Sequence, residues 1–174
     1  MPPSVELLPY SPACLEPYFR WRGQAPTVNH NPLQSLTFDQ VRAVLESERS
    51  ELDGAGNYRW FVHLGGHVVG SVSLKNVNTQ MGYAELGYGF CETSHGRGVG
   101  TAAVRLVVAR VFAETSLRKL VAYVHDQNVA SCRLLDRLGF VREGLLREHY
   151  LILGAPADEV VFGLLRREWN VTPA

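Results

Sequence analysis

Apolar residues recur at helical spacing in four stretches of the chain and alternate with polar ones in seven others. The order of the two patterns predicts a mixed α/β fold. Residues 5–8 read as a short strand, and Ser11 followed by Pro12 reads as a helix start running to about residue 21. Residues 23–32 are loop-like, after which Thr37 and Gln40 have capping-box form and lead into Val41, Val44 and Leu45, a second helix to about residue 51. From residue 58 the pattern alternates: Trp60, Val62 and Leu64 share one face, Gly65 and Gly66 turn the chain, and Val68, Val72 and Leu74 follow. Residues 83–90 form a third strand of this group, with Ala84, Leu86, Tyr88 and Phe90 on one face and Glu85, Gly87 and Gly89 on the other. Val104, Val107, Val108, Val111 and Phe112 make a broad helical stripe, and residues 119–124 a short strand. Asn128 is placed to cap a helix carrying Ser131, Leu134, Leu135 and Leu138 on one face until Gly139 stops it. Two further strands, 145–153 and 160–165, are joined through Gly154, Pro156 and Asp158.

Between the third strand and the valine-rich helix lies SHGRGVGTAA, residues 94–103, with three glycines in five positions. A phosphate-binding P-loop needs Lys after its last glycine, and here Thr101 follows Gly100 directly. The segment from Gly98 to Ala103 fits the loose dinucleotide pattern GxGxxA, with Asp126 further on as a ribose acid, but that fold wants the turn directly on the end of a strand, and residues 91–95 intervene. The third alternative is a run of main-chain N–H groups at a helix N-terminus, open to a pyrophosphate because glycine puts no side chain in the way.

HGRGVGTAA resembles the acyl-CoA-binding signature Q/R-x-x-G-x-G/A of the GNAT N-acetyltransferase superfamily, with His95 where Gln or Arg is usual and Arg97 keeping a cation at the loop. AELGYGF (84–90), NVASCRLLDRLGF (128–140) and REGLLREHYLILGAPADEVVFGLLRREW (142–169) are similar to its RimJ/RimL-type branch, the ribosomal-protein N-acetyltransferases. The resemblance covers about residues 57–169 and implies one domain over 1–174: a twisted, mostly antiparallel mixed sheet with helices on both faces and a splayed central strand pair. It also implies acetyl-CoA as donor, a primary amine as acceptor and direct transfer between them. The acceptor suggested is a protein N-terminus, with a small amine or antibiotic as the alternative; a non-catalytic acyl-CoA sensor is a third reading.

The same resemblance assigns residues. Pyrophosphate falls on the N–H groups of Arg97, Gly98, Val99, Gly100 and Thr101, with His95 and Gly96 of the same bend also touching the cofactor, and the pantetheine arm on Leu86, Gly87, Tyr88 and Asn128. Glu85 takes the place of a general base, an N–H at Gly87 or Gly89 could receive the oxyanion, and Ser131 lies near the thiol as a proton source. Glu85 read by itself is equally a solvated strand carboxylate, and Asn128 a helix cap. Tyr150 stands where related enzymes place a second catalytic carboxylate, beside Glu148 and His149. Strict strand alternation would send these neighbours to opposite faces.

Composition changes this picture little. With 46% hydrophobic residues and seventeen basic side chains balancing seventeen acidic ones, the chain suits a globular core and gives no charge argument for nucleic acid or membrane binding. Cys14, Cys91 and Cys132 are odd in number and lack ligand spacing, so buried thiols in a reducing, cytoplasmic setting are expected. No leader and no membrane span are expected, and His30, His63, His67, His95 and His125 form no metal pattern in sequence. Trp21, Trp60 and Trp169 are expected in the core, and the apolar tail strands could support a homodimer.

Overall fold

The computed structural model describes residues 3–32 and 34–169. Its centre is a seven-stranded sheet in the order β1-β2-β3-β4-β5-β7-β6. The strands are β1 (Glu6–Leu8), β2 (Gly56–Leu64), β3 (His67–Asn78), β4 (Tyr83–Phe90), β5 (Lys119–His125), β6 (Val141–Ile152) and β7 (Ala155–Leu165). All neighbours are antiparallel except β4 and β5. The helices are α1 (Leu15–Arg22), α2 (Ala25–Val28), α3 (Phe38–Ser47), α4 (Val99–Glu114) and α5 (Val129–Arg137).

Strand alternation divides the core into two layers. Tyr58, Trp60, Val62, Val72, Leu74, Ala84, Leu86, Leu120, Ala122 and Val124 turn to one face and pack with the valines of α4 and with Cys132 and Leu135 of α5. Phe61 turns to the other face and packs with Leu15, Tyr18 and Trp21 of α1 and Val41 and Leu45 of α3. The expected helices on both faces are present.

Several boundaries differ from expectation, each for a local reason. Ser11 makes no side-chain cap; Pro12–Cys14 is a single 3-10 turn feeding α1. The stretch expected to be loop contains the one-turn helix α2, with Pro26 in its first turn, where the missing N–H costs nothing. The capping box of Thr37 and Gln40 forms, but α3 ends at Ser47 because Glu48 goes extended and pairs with the buried Arg59. The last two strands start earlier than their apolar pattern suggests and meet in a two-residue turn at Leu153 and Gly154, both left-handed at φ 50° and 83°. β6 is an edge strand exposed along most of its length, so its polar residues hide its periodicity. The three cysteines carry free thiols, two of them buried. Among the described residues no helix is long and apolar enough to cross a membrane.

Candidate active site

β4 and β5 pair only at Tyr83↔Lys119, Ala84↔Leu120 and Glu85↔Val121. Beyond Glu85 the two strands part, and the sheet splays open towards Phe90 and His125. The β3–β4 ladder shows which main-chain groups face the gap. Cys91 N–H donates to Val69 O at 2.9 Å, and the register continues as Ser71↔Gly89, Ser73↔Gly87 and Lys75↔Glu85. Antiparallel hydrogen-bonded pairs repeat every second residue. The N–H groups of Gly87 and Gly89 therefore point at β3; that of Leu86 closes the last β4–β5 pair on Val121 O, and that of Tyr88 is the first to point into the open splay. This corrects the expectation of an oxyanion donor at Gly87 or Gly89: the open amide on β4 is that of Tyr88. Gly87 still matters sterically, since a Cβ there would stand 3.0 Å from Ser73 Oγ.

At the open end of the splay, β4 leads through a 3-10 turn at Glu92–Ser94 to the glycine bend. Gly96 and Gly98 are left-handed at φ 72° and 76°, and Gly98 occupies the N-cap position of α4. His95 N–H is used by Glu92 O, and Ala102 N–H is the first to bond within the helix, to Gly98 O at 3.0 Å. Between them the N–H groups of Gly96 to Thr101 have no acceptor among the described residues. This is an anion cradle made of backbone and a helix N-terminus, and it fits a pyrophosphate. Side chains around it do different things. Val99 is buried in the core. A Cβ on Gly100 would stand 3.0 Å from Leu134 Cδ1 and 3.1 Å from Phe90 Cε2, so its absence serves close packing of α4 on α5 and β4. Nothing lies within 4 Å of where a Gly96 Cβ would be. Arg97 is exposed, and the His95 ring folds back to within 3.2 Å of Phe90 O at the mouth of the splay.

On the α4/α5 side of the gap, Tyr88 and Ser131 meet with their hydroxyl oxygens 2.6 Å apart. Burial raises the Tyr88 phenol well above its usual range, with the Ser131 hydrogen bond opposing the shift, so it stays protonated at neutral pH. Asn128 caps α5, its Oδ1 accepting from Ser131 N–H at 3.1 Å, which leaves its Nδ2 free of described partners. Capping and ligand binding are thus compatible in one residue.

The opposite face of the sheet carries Glu85. Its Oε2 accepts from Asn76 Nδ2 at 2.9 Å near the surface. Through Glu85↔Val121 and His125↔Glu159 the same face continues across β5 to β7. Here the structure gathers residues that sequence reasoning missed or set aside. Glu159 is only 8% exposed. His149 Nε2 lies 3.4 Å from Glu159 Oε2, and Tyr150 stands beside the same carboxylate. His30, from the segment after α2, meets His125 with Nδ1 atoms 3.0 Å apart. The alternation expected to separate His149 from Tyr150 is broken by a bulge between Leu146 and Tyr150, where Glu148 is left-handed at φ 48° and its N–H donates to Asp158 Oδ1 at 2.7 Å. A carboxylate directly ahead of the apolar run Val160, Val161 and Phe162 was the one signal that could have marked Glu159. Among the described residues no group of His, Cys, Asp or Glu is arranged to hold a metal ion.

Comparison with known proteins places these features in company. The family profile described as Acetyltransferase (GNAT) domain matches residues 4–141. A Bacillus subtilis protein named "Putative ribosomal N-acetyltransferase YdaF" is 33% identical over 105 residues, 60% of this chain and 57% of that one. A second B. subtilis protein, "Probable N-acetyltransferase YjcK", is 34% identical over 119 residues, 68% of this chain and 66% of its own length. The matches thus span less than two thirds of these curated relatives. Among solved structures, Mycobacterium smegmatis RimJ in complex with CoA-disulfide superposes with a TM-score of 0.84 at 22% identity, over 95% of this chain and 84% of that one. Vibrio cholerae spermidine N-acetyltransferase in complex with CoA and spermine does so with 0.81 at 19% identity, over 95% and 97%. These two establish a shared fold.

Proposed function

Because the chain belongs to the GNAT acetyltransferase family, we propose that it moves an acetyl group from acetyl-CoA directly to a primary amine, and that this amine is a protein N-terminus. The observation that carries the reading is the row of open amides from Gly96 to Thr101 set at the mouth of a splayed strand pair. The cradle holds the pyrophosphate, and the splay between β4 and β5 takes the pantetheine arm, with the Tyr88 N–H and Asn128 Nδ2 as donors along it. The rigidly held Tyr88 amide polarises the thioester carbonyl without reorganising, which is the economical way to stabilise a developing oxyanion.

Ser131 and Tyr88 act together in this reading. A phenol raised by burial is a poor net acid, so the pair serves the departing sulfur as preorganised hydrogen-bond donors while the proton itself comes from the amine. Glu85, on the face away from α4 and α5, meets the incoming ammonium. The YdaF relative's name and the RimJ fold neighbour support the N-terminal acceptor. A polyamine acceptor is the second reading, favoured by the carboxylates Glu85 and Glu159 on one face and by the spermine-bound fold neighbour. Thiol release measured with acetyl-CoA against N-terminal peptides of ribosomal proteins and against spermidine separates them. The proposal expects turnover with peptides. Turnover with spermidine alone corrects the acceptor class, and binding of acetyl-CoA without release of CoA across both panels makes the protein a sensor.

A further inference from the structure

We propose that Glu159 is the group that takes the proton from the acceptor amine, with Tyr150 orienting its carboxylate and His149 linking it to solvent. The inference deepens the acetyltransferase reading and rests on it. The position assigned by family resemblance on β6 holds Tyr150, which has no carboxylate; the structure supplies one from the adjacent strand, β7, and turns it to the same place.

Three observations support the assignment. First, the sheet register puts Glu159 on the acceptor side. Leu120, Ala122 and Val124 of β5 pack under α4 and α5, so Val121, Tyr123 and His125 face away from them, and Glu159 is the cross-strand partner of His125. His125 ends β5 at the wide end of the splay, opposite the strand segment that carries Leu86 and Tyr88. Second, Glu159 is buried, yet no lysine or arginine neutralises it among the described residues: the basic side chain against it is the half-exposed His149, Nε2 to Oε2 3.4 Å. Third, the bulge at Glu148, held by Asp158, brings consecutive residues His149 and Tyr150 to one carboxylate, which a regular strand could not do.

The electrostatics agree with a proton acceptor. Burial raises the Glu159 carboxyl above the ordinary carboxylate range; the Tyr150 hydrogen bond and His149 pull it back, and Glu85 across the face raises it again. Tyr150 is raised too, by burial first and then by the Glu159 charge, so its hydroxyl keeps its proton beside the carboxylate. The remaining charged or titratable neighbours are Tyr123 and His125 from β5, Asp126 3.5 Å from His125 Nε2, and His30 against His125 Nδ1. A base of raised pKa matches an ammonium better than an ordinary carboxylate does. Glu85, hydrogen-bonded to Asn76 at the surface, is left the task of holding the amine in place.

The proton balance closes. The amine arrives as an ammonium; one N–H bond breaks and its proton goes to a Glu159 oxygen. The freed lone pair forms the C–N bond as the C–S bond breaks, and the second nitrogen proton leaves with sulfur as the free thiol. Glu159 returns its proton through His149 to solvent, one per turnover.

The test is the pH dependence of kcat/KM for the amine, with acetyl-CoA saturating, in wild type, Glu159→Gln, Glu159→Asp and Glu85→Gln. Wild-type activity should fall as pH drops through the raised carboxyl pKa. Glu159→Gln should lose that acid limb and about a hundredfold or more of kcat, with acetyl-CoA affinity unchanged. Glu159→Asp should restore part of both, and Glu85→Gln should act mainly on KM for the amine. A Glu159→Gln profile that superimposes on wild type overturns the assignment. If Glu159→Gln fails to bind acetyl-CoA, the Asp variant and a carboxyl 13C titration of the wild type decide: a Glu159 resonance titrating with the ordinary carboxylates also overturns it. Absence of thiol release from the wild type with every amine removes the acetyltransferase reading itself, and this inference with it.

Discussion

Gly98→Val weakens acetyl-CoA binding by about tenfold or more. Gly98 sits at φ 76°, where a β-branched residue is a true outlier and L-residues in general lose about 1–2 kcal/mol. The nearest atom to an added Cβ is Pro3 Cδ at 3.6 Å, an ordinary contact, so the cost is not crowding within the protein. It is conformational: a residue that cannot hold the left-handed turn rotates the peptide planes around Val99 and Gly100 and disperses the amides that converge there. About 1.4 kcal/mol is a factor of ten in affinity, so backbone strain alone reaches that size before any contact between the valine and the ligand is counted. Calorimetric titration with acetyl-CoA measures it. Gly98→Asn, which tolerates the left-handed region, is expected to retain most of the affinity. Equal affinity in Gly98→Val and wild type would mean that the bend does not hold the phosphates.

Glu48→Ala is expected to cost about 3–5 kcal/mol of folding stability, a large part of what a domain has. Arg59 reaches Glu48 with two hydrogen bonds, of 2.5 and 2.9 Å, donates to Ser71 Oγ at 2.9 Å and lies 5.1 Å over the Tyr18 ring. Both side chains of the pair are almost completely buried, at 8% and 5% exposure. Removing the carboxylate leaves a guanidinium in a dry site, which is the expensive way to break such a pair. Because the pair fastens the end of α3 to β2, the variant should loosen the α1/α3 layer on the acceptor side before the α4/α5 layer that holds the donor. Urea denaturation measures the total. A double replacement, Glu48→Leu with Arg59→Met, should recover most of the loss, and a single-variant cost under about 1 kcal/mol would show the pair to be incidental.

How much of this could be read from the chain follows from the range of the interactions. β4 was legible to the residue, with Glu85 and the glycines on one face, because its alternation is clean and local. The bend was legible because glycines before a valine-rich helix leave few alternatives. The Tyr88–Ser131 contact joins residues 43 apart, and only the packing of α5 against β4 brings them together. The direction of the Leu86 and Tyr88 amides depends on which pairs of the β3–β4 ladder exchange hydrogen bonds, a choice of register that periodicity does not fix. Glu159 was hidden for a third reason: the bulge at Glu148 cancels the alternation that argued against His149 and Tyr150 acting together. The short helix α2 and the early starts of β6 and β7 were missed because a proline in one and exposed polar residues in the others disguise the pattern.

The central claim is that the main-chain amides of the glycine bend hold the diphosphate of acetyl-CoA. Its most direct measurement is a titration of 15N-labelled protein with CoA, following backbone amide resonances. The account predicts that the largest shifts fall on Gly96 to Thr101, followed by Tyr88, and that the Gly87 and Gly89 N–H groups, paired with β3, keep their protection from hydrogen exchange. Saturable CoA binding that leaves the resonances of Gly96 to Thr101 unmoved and shifts another part of the surface would contradict it.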